Sequence, residues 1–401
     1  MCWAASAPAQ ASERGHPMRA SYSRRGALLA LSAAVALFAA MPVRAADKLL
    51  EETVGFTGLI LFLDSKVPAL VIGAIRDGQT AVFGFGETSK GSGKAPDGNT
   101  MMRIGSITKA FTGQVFAAQV ARGGVHFTDR LQDRIGWSVK VPEKDGKQIR
   151  LIDLATHSSG LPREVERKDG PADDPFRTLT REAYILGLQS DPLLFAPATG
   201  FLYSNFAFDL LAAALANSAG KPYDALLKET VLDPAGLKDT LFALRPGDAA
   251  RLVQGHNFDG TPLPDVRATD VMAGASSLYS TPNDILRWLA WHLDRFSPNG
   301  AEVRLIDHAA YVPRDGMKPV SGLDESGHAS AMGLGWIVMA PEGDQPLILQ
   351  KAGGLQGVFT YTAFAPTRGV GVFVAISQFN FAAAMAMAKV ANELIGTLAP
   401  R

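Results

Sequence analysis

The chain has 401 residues, 47% of them hydrophobic, enough for a large core in one big domain or two interleaved ones. Its 39 basic and 39 acidic side chains cancel, so the basic field that phosphate binding requires is missing and no nucleic-acid partner is expected. The only cysteine, Cys2, falls in the N-terminal leader, which leaves no disulfide, Cys-ligated zinc or cysteine nucleophile further on.

Arg24-Arg25, an apolar run from Ala27 to Met41 and then Pro42-Val43-Arg44-Ala45-Ala46 supply the basic, apolar and small-residue parts of a secretory signal. Cleavage after Ala45 is expected, which makes residues 1–45 a signal peptide and the periplasm the destination. Ser23-Arg24-Arg25 also permits twin-arginine export, and Met18 is an alternative start. No later apolar run reaches the ~20 uncharged residues of a spanning helix. An exported chain with no transmembrane segment after signal removal is expected, and peripheral attachment to a membrane surface is compatible with it.

Residues 47–62 read as a helix leading into a strand. Val67–Ile75 and Thr80–Gly86 are β-rich runs separated by Arg76-Asp77-Gly78-Gln79, where Asp-Gly signals a hairpin. Ser89–Thr100 reads as a mobile Gly/Ser/Lys-rich connector, and its spacing fails the Gly-x-x-x-x-Gly-Lys phosphate loop. Helical patterns then dominate over 106–122, about 150–157, 178–190, 204–218 and 222–231, with a long loop from Pro162 to Arg177. Another amphipathic helix covers 281–294. Leu347–Lys351, Phe359–Phe364 and Gly369–Ile376 are three consecutive strand-like runs, and Phe381–Leu398 is an alanine- and methionine-rich helix read as a sheet cover in preference to an anchor.

Short consecutive strands with tight turns favour an antiparallel sheet. The expected fold is therefore α/β (α+β): an antiparallel sheet flanked by the terminal helices, plus a mostly helical lobe. Residues 46–401 form a single catalytic domain in this reading. Its α/β lobe comprises about 46–105 and 330–401, its helical lobe about 106–329, and the active site lies in the cleft between them.

Ser106-Ile107-Thr108-Lys109 opens the first helix of the helical block, and positions i and i+3 share a helix face. A serine hydroxyl needs a neighbour to take its proton, and a desolvated lysine can do so. A serine in the first helical turn also has free N–H groups and the positive dipole end nearby, which suits an oxyanion. The second Ser-x-x-Lys, Ser218–Lys221, sits at a helix end and has the wrong placement. Tyr203-Ser204-Asn205 is the only Tyr-x-Asn; a phenol beside lysines can shuttle protons, and an Asn amide can bind a substrate carbonyl and hold the lysine. Lys351-Ala352-Gly353-Gly354 ends a late strand, where a glycine pair lets a substrate backbone approach closely and Gly354 can add a second oxyanion donor to that of Ser106. Taken singly, each has a plain structural alternative: a helix start, a loop tyrosine with a capping Asn, a strand end. His157 reads as a buried packing residue. The seven histidines show no metal-ligand spacing, and no Gly-x-Ser-x-Gly elbow occurs.

In the order Ser-x-x-Lys, Tyr-x-Asn, Lys-x-Gly, these motifs resemble the serine β-lactamase/penicillin-binding protein superfamily. The tyrosine form resembles its class C branch: class C β-lactamases, family VIII esterases and AmpH-type penicillin-binding proteins. Leu154–Glu164, reading LATHSSGLPRE, looks like that branch's LATHxSxLPRE stretch. Tyr203–Tyr223, Tyr279-Ser280-Thr281-Pro282 and Gly333-Leu334-Gly335-Trp336 are similar to AmpH-type proteins. The resemblance implies a β-lactamase/transpeptidase-like fold and a D-alanyl-D-alanine carboxypeptidase/endopeptidase acting through an acyl-enzyme on Ser106. It implies a proton relay of Lys109 and Tyr203, substrate orientation by Asn205 and positive charge from Lys351. The N–H groups of Ser106 and Gly354 would hold the oxyanion. Peptidoglycan peptides and β-lactams are the implied partners, with no metal or cofactor. Where the family usually has Thr this chain has Ala352, which removes a donor for a terminal carboxylate and weakens the carboxypeptidase and β-lactamase readings relative to endopeptidase or ester cleavage. A class C-type β-lactamase, a family VIII-type esterase and an inactive binder of peptidoglycan or β-lactams are the alternatives.

Overall fold

The structure, a computed structural model, describes residues 47–399 apart from 172, 191 and 192; the expected signal peptide lies outside the described residues. Asp77 and Gly78 both take positive φ (50° and 79°), the two-residue turn whose twist matches paired strands. They join β1 (Ala69–Arg76) to β2 (Gln79–Gly86), with Arg76 opposite Gln79. Ahead of the hairpin runs α1 (Lys48–Ser65). Its cap, Asp47, accepts from the Leu50 N–H at 3.0 Å and from Arg76 Nε at 2.8 Å, so the helix start is tied to the strand it covers.

Seven further α-helices of five or more residues follow among the described residues: α2 (Thr108–Ala121), α3 (Leu151–Ala155), α4 (Arg181–Ser190), α5 (Asn205–Ala219), α6 (Tyr223–Leu227), α7 (Pro282–Leu293) and α8 (Ala301–Asp307). The chain then lays down β3 (Val312–Pro313), β4 (Ala331–Met332), β5 (Ile337–Met339), β6 (Ile348–Leu355), β7 (Val358–Ala365) and β8 (Val370–Ile376), and ends in α9 (Phe381–Leu398). One eight-stranded sheet results, in the order β2-β1-β8-β7-β6-β5-β4-β3, and every neighbouring pair is antiparallel.

Both faces of this sheet are covered, which is why β1 and β8 are apolar at nearly every position instead of alternating. Leu70, Ile72, Val372 and Val374 face Val54 and Leu61 of α1 and Met387, Ala391 and Ile395 of α9. On the other face Val71, Ile75 and Phe373 meet Leu286 and Leu289 of α7, in a core that continues into α2 and α5. Each such side chain, fully buried, contributes roughly 1.5–3 kcal/mol. By length and composition α9 could cross a membrane; here its buried stripe seals the sheet.

The expected antiparallel sheet with flanking terminal helices is therefore what the chain builds. The 106–329 block is less purely helical than expected: β3 joins the sheet from inside it, and α7 packs on the sheet itself. The 89–100 connector is pinned, with the Thr88 N–H on Lys94 O at 2.8 Å and Pro96 O against Gly84, where a Cβ would sit 1.7 Å away.

Candidate active site

β6 carries the sheet's side of the site. β5 pairs only with Ile348–Gln350, so among the described residues Lys351–Leu355 have a strand partner, β7, on one side alone. The turn carrying Ser106 lies against this half-strand. Gly105, at φ +51°, opens a one-turn 3₁₀ helix, Gly105–Ile107, that runs straight into α2. A Cβ on Gly105 would sit 2.5 Å from Gly354 N, and one on Gly353 would sit 2.1 Å from Ile104 O and 3.0 Å from Ser106 N. The glycine pair, expected to admit a substrate backbone, thus first admits the serine turn: main chain meets main chain with no room for a side chain. Thr360 Oγ1 donates to Ile104 O at 2.9 Å and pins the same contact.

α2 is buried from Thr108 to Gln119, and enclosed polar side chains on it find partners: Thr112 Oγ1 donates to Gly274 O at 2.8 Å. Phe111 stacks on Trp288 at 4.0 Å, and Trp288 Nε1 donates to Gln114 Oε1 at 2.7 Å. That rigid seat fixes Ser106 and Lys109 one turn apart. Ser106 is half-buried and reachable; Lys109 is fully enclosed.

Lys109 Nζ has three oxygen neighbours: Ser106 Oγ at 3.1 Å, Asn205 Oδ1 at 2.5 Å and Ala275 O at 2.8 Å. Burial pushes its pKa well below the ordinary lysine value, with Lys351 adding to the effect against Asp209 and Glu164. With its proton lost, the amine would direct its two N–H donors to the Asn205 and Ala275 carbonyls and its lone pair to the Ser106 hydroxyl proton. The pair is set up for the lysine to act as base.

Tyr203 is buried beside them, and Lys351 Nζ donates to its Oη at 3.3 Å. Lys351 Nζ, Arg163 Cζ and Lys109 Nζ lie 4.6, 4.8 and 5.0 Å from its ring centroid. Lys351 and Arg163 place two cations around the phenol, a field that favours negative charge developing on its oxygen. Asn205 does not cap α5; Ser204 does, accepting from the Ala207 N–H at 3.0 Å. Asn205 is free of that duty, and its Nδ2 donates to Glu164 Oε1.

Ser106, Lys109, Tyr203, Asn205, Lys351, Gly353 and Gly354 therefore converge on one place, at the meeting of β6 with the helical block. Glu164 and Asp209 belong to the same electrostatic unit and were not singled out by the sequence. Asp209 is buried and accepts from Tyr184 Oη at 2.5 Å and the Ala275 N–H at 2.9 Å, and burial pushes its carboxyl up to about 7. The sequence signal for both was weak: Glu164 closes the LATHSSGLPRE stretch, and Asp209 is the one acid in an apolar helix.

A reachable hydroxyl against an enclosed amine whose pKa burial lowers, with a phenol held by a second lysine alongside, is the equipment of a serine hydrolase that forms an acyl-enzyme. The chain belongs to the Beta-lactamase family, which it matches over residues 45–396. It is 34% identical over 341 residues to the D-alanyl-D-alanine-carboxypeptidase/endopeptidase AmpH of Escherichia coli strain K12, covering 84% of this chain and 86% of that one. A β-lactamase of Pseudomonas fluorescens is 24% identical over 336 residues, covering 78% and 89%. Among solved structures, a β-lactamase/D-alanine carboxypeptidase from Yersinia pestis complexed with citrate superposes with a TM-score of 0.78 at 32% identity, over 88% of this chain and 99% of that one. The fold alone is shared with a Pseudomonas syringae β-lactamase/D-alanine carboxypeptidase, at a TM-score of 0.72 and 17% identity.

Proposed function

We propose that the chain is an exported D-alanyl-D-alanine carboxypeptidase and endopeptidase that trims or opens peptidoglycan cross-links and is acylated by β-lactams. The observation that carries the reading is the arrangement at Lys109, a fully enclosed amine 3.1 Å from the reachable Ser106 hydroxyl. Ser106 Oγ attacks the carbonyl of the penultimate D-alanine while Lys109 takes its proton. Tyr203 passes a proton to the departing amine, Lys351 supports charge on the phenol oxygen, and Asn205 orients the acyl chain. The N–H groups of Ser106 and Gly354, whose backbones meet, hold the oxyanion. Water then releases the acyl group. The names of the E. coli and Y. pestis relatives support this substrate class over a general ester.

A fluorescent penicillin labels the wild type in this reading, and Ser106→Ala abolishes labelling; labelling that survives removes Ser106 from its role. Assays on muropeptides, a chromogenic cephalosporin and a short-chain ester separate a peptidase from a β-lactamase or an esterase. An inactive binder turns over none of them.

Export to the periplasm follows in this reading from the leader, with the membrane surface as a peripheral partner. Phe56, Leu59, Ile60 and Leu63 make one exposed apolar face on α1, which begins just after the leader. Co-sedimentation of residues 46–401 with anionic and neutral vesicles tests the attachment. Binding that is unchanged when Leu59 and Ile60 become serine refutes it.

A further inference from the structure

His157 is the buried titratable group beside the site that the proposed chemistry leaves without a task. It adopts φ +56°, a region that few residues other than glycine enter, Asn, Asp and His the most often of them. Its ring stacks on that of Tyr203, centroids 4.4 Å and planes 27° apart, and leans on Phe208 at 4.9 Å. The Leu202 N–H donates to the His157 carbonyl at 3.0 Å. The Ser204 N–H donates to its Nδ1, also at 3.0 Å. The main-chain donors on both sides of Tyr203 thus end on the same residue that stacks against its ring.

An Nδ1 that accepts a hydrogen bond carries no proton, so the ring is neutral with its N–H on Nε2. That Nε2 has no hydrogen-bond partner among the described residues. The ionisable neighbours that act on the ring are all basic groups: Lys351 from β6, Lys109 from α2 and Arg163 from the loop after Leu161. Burial first, and then these basic neighbours, hold its pKa well below the ordinary histidine value. A neutral acceptor at the end of a strained turn, with one nitrogen left unsatisfied, is a costly way to fill core space. Placement of Tyr203 gives that arrangement a purpose.

We propose that His157 is a positioning residue for acylation, fixing Tyr203 Oη beside Lys351 through one stacked ring and two main-chain hydrogen bonds. This rests on the reading of Tyr203 as a proton carrier. The residue acts through Tyr203 and touches no substrate.

The test is a double-mutant cycle on the rate of acylation by a fluorescent penicillin, with Tm measured for every variant. His157→Gly keeps the backbone conformation but removes ring and acceptor. It should slow acylation by about 10²-fold, the scale of a ~1 Å misplacement. In a Tyr203→Phe background the same change should cost less than about threefold, because nothing remains to be positioned. His157→Asn tolerates positive φ and offers Oδ1 where Nδ1 was, so it should recover most of the rate. Where His157→Gly does not fold, His157→Asn against His157→Ala runs the same cycle. Equal losses in both backgrounds, or no recovery with Asn, overturn the inference. If Tyr203→Phe alone leaves the rate unchanged, the proton-carrier reading falls instead, so the two failures are distinguishable.

Discussion

Two of the groups of ionisable side chains buried among the described residues differ in what burial is for. One surrounds Ser106. The other lies under α7 and α8, where His292 Nδ1 and His308 Nε2 are 2.9 Å apart and Trp336 Nε1 donates to Asp307 Oδ2 at 2.9 Å. Burial shifts titration in both. Lys109 is pushed down at the first, while at the second Asp307 is pushed up to about 8 and His308 down to about 4. At the first, the amine's donors are matched and a reachable hydroxyl remains. At the second, Asp307 Oδ1 and His292 Nε2 have no hydrogen-bond partner among the described residues, and Trp288, Trp336 and Phe364 close around the His292 imidazole. A perturbed pKa therefore marks desolvation; chemistry needs desolvation next to an opening.

The contrast can be broken most sharply at Lys109. Lys109→Met should cost roughly 10³-fold or more in acylation, the scale seen when a nucleophile or its base is removed. Far-ultraviolet circular dichroism should stay native-like, because an apolar chain of similar length fills the space. Acylation within tenfold of wild type would return Lys109 to the status of the second cluster, buried without purpose.

Gly353→Ala acts on the seat of the nucleophile. The new Cβ would strike Ile104 O, so the serine turn must shift, and a displacement of ~1 Å should cost about 10² in rate. A fully active variant would show that the two backbones are not in register contact.

The smallest effect belongs to the second cluster. Asp307→Asn should leave acylation unchanged and alter only the pH dependence of stability. Folded Asp307 keeps its proton up to about pH 8, against a reference value of 3.8. The folded chain thus binds more protons across that window, and stability, complete at its acid end, falls as pH rises. His308, lowered from 6.5 to about 4, works in the opposite sense between those values and offsets the loss there. From pH 6.5 to 8 the Asp307 contribution should cost roughly 1.4 kcal/mol per pH unit. The wild-type Tm should drop by about 2–4 °C per kcal/mol over that range. The variant should lose most of that slope; equal slopes in calorimetry would refute the assignment.

Much of this was legible in the chain itself. Asp77-Gly78 announced the hairpin, and three apolar runs between turn residues announced β6, β7 and β8, because long runs with marked ends carry strong local signals. α8, β3, β4 and β5 were not anticipated. Two- and three-residue strands have no period to read, and Val312-Pro313 looks like a loop until a neighbour pairs with it. At the site, spacing brought Ser106 and Lys109 together, while Tyr203 and Lys351 joined them through family resemblance. No local pattern could reveal that Ala275 O, contributed 166 positions further on, is the third neighbour of the Lys109 amine. Nor could it show that Gly353 serves the turn of Ser106, since that depends on a contact between distant backbones.

That contact of bare main chain at Gly105, Gly353 and Gly354 also bears on how such a scaffold diversifies. The nucleophile's address is written in peptide atoms, so exchanging the side chains that rim the opening leaves it undisturbed. Ala352, the next residue after Lys351 on the same strand and half-buried, can then change without moving the Ser106 hydroxyl. Relatives bearing the names carboxypeptidase, endopeptidase and β-lactamase on one backbone are what such a division of labour would leave behind.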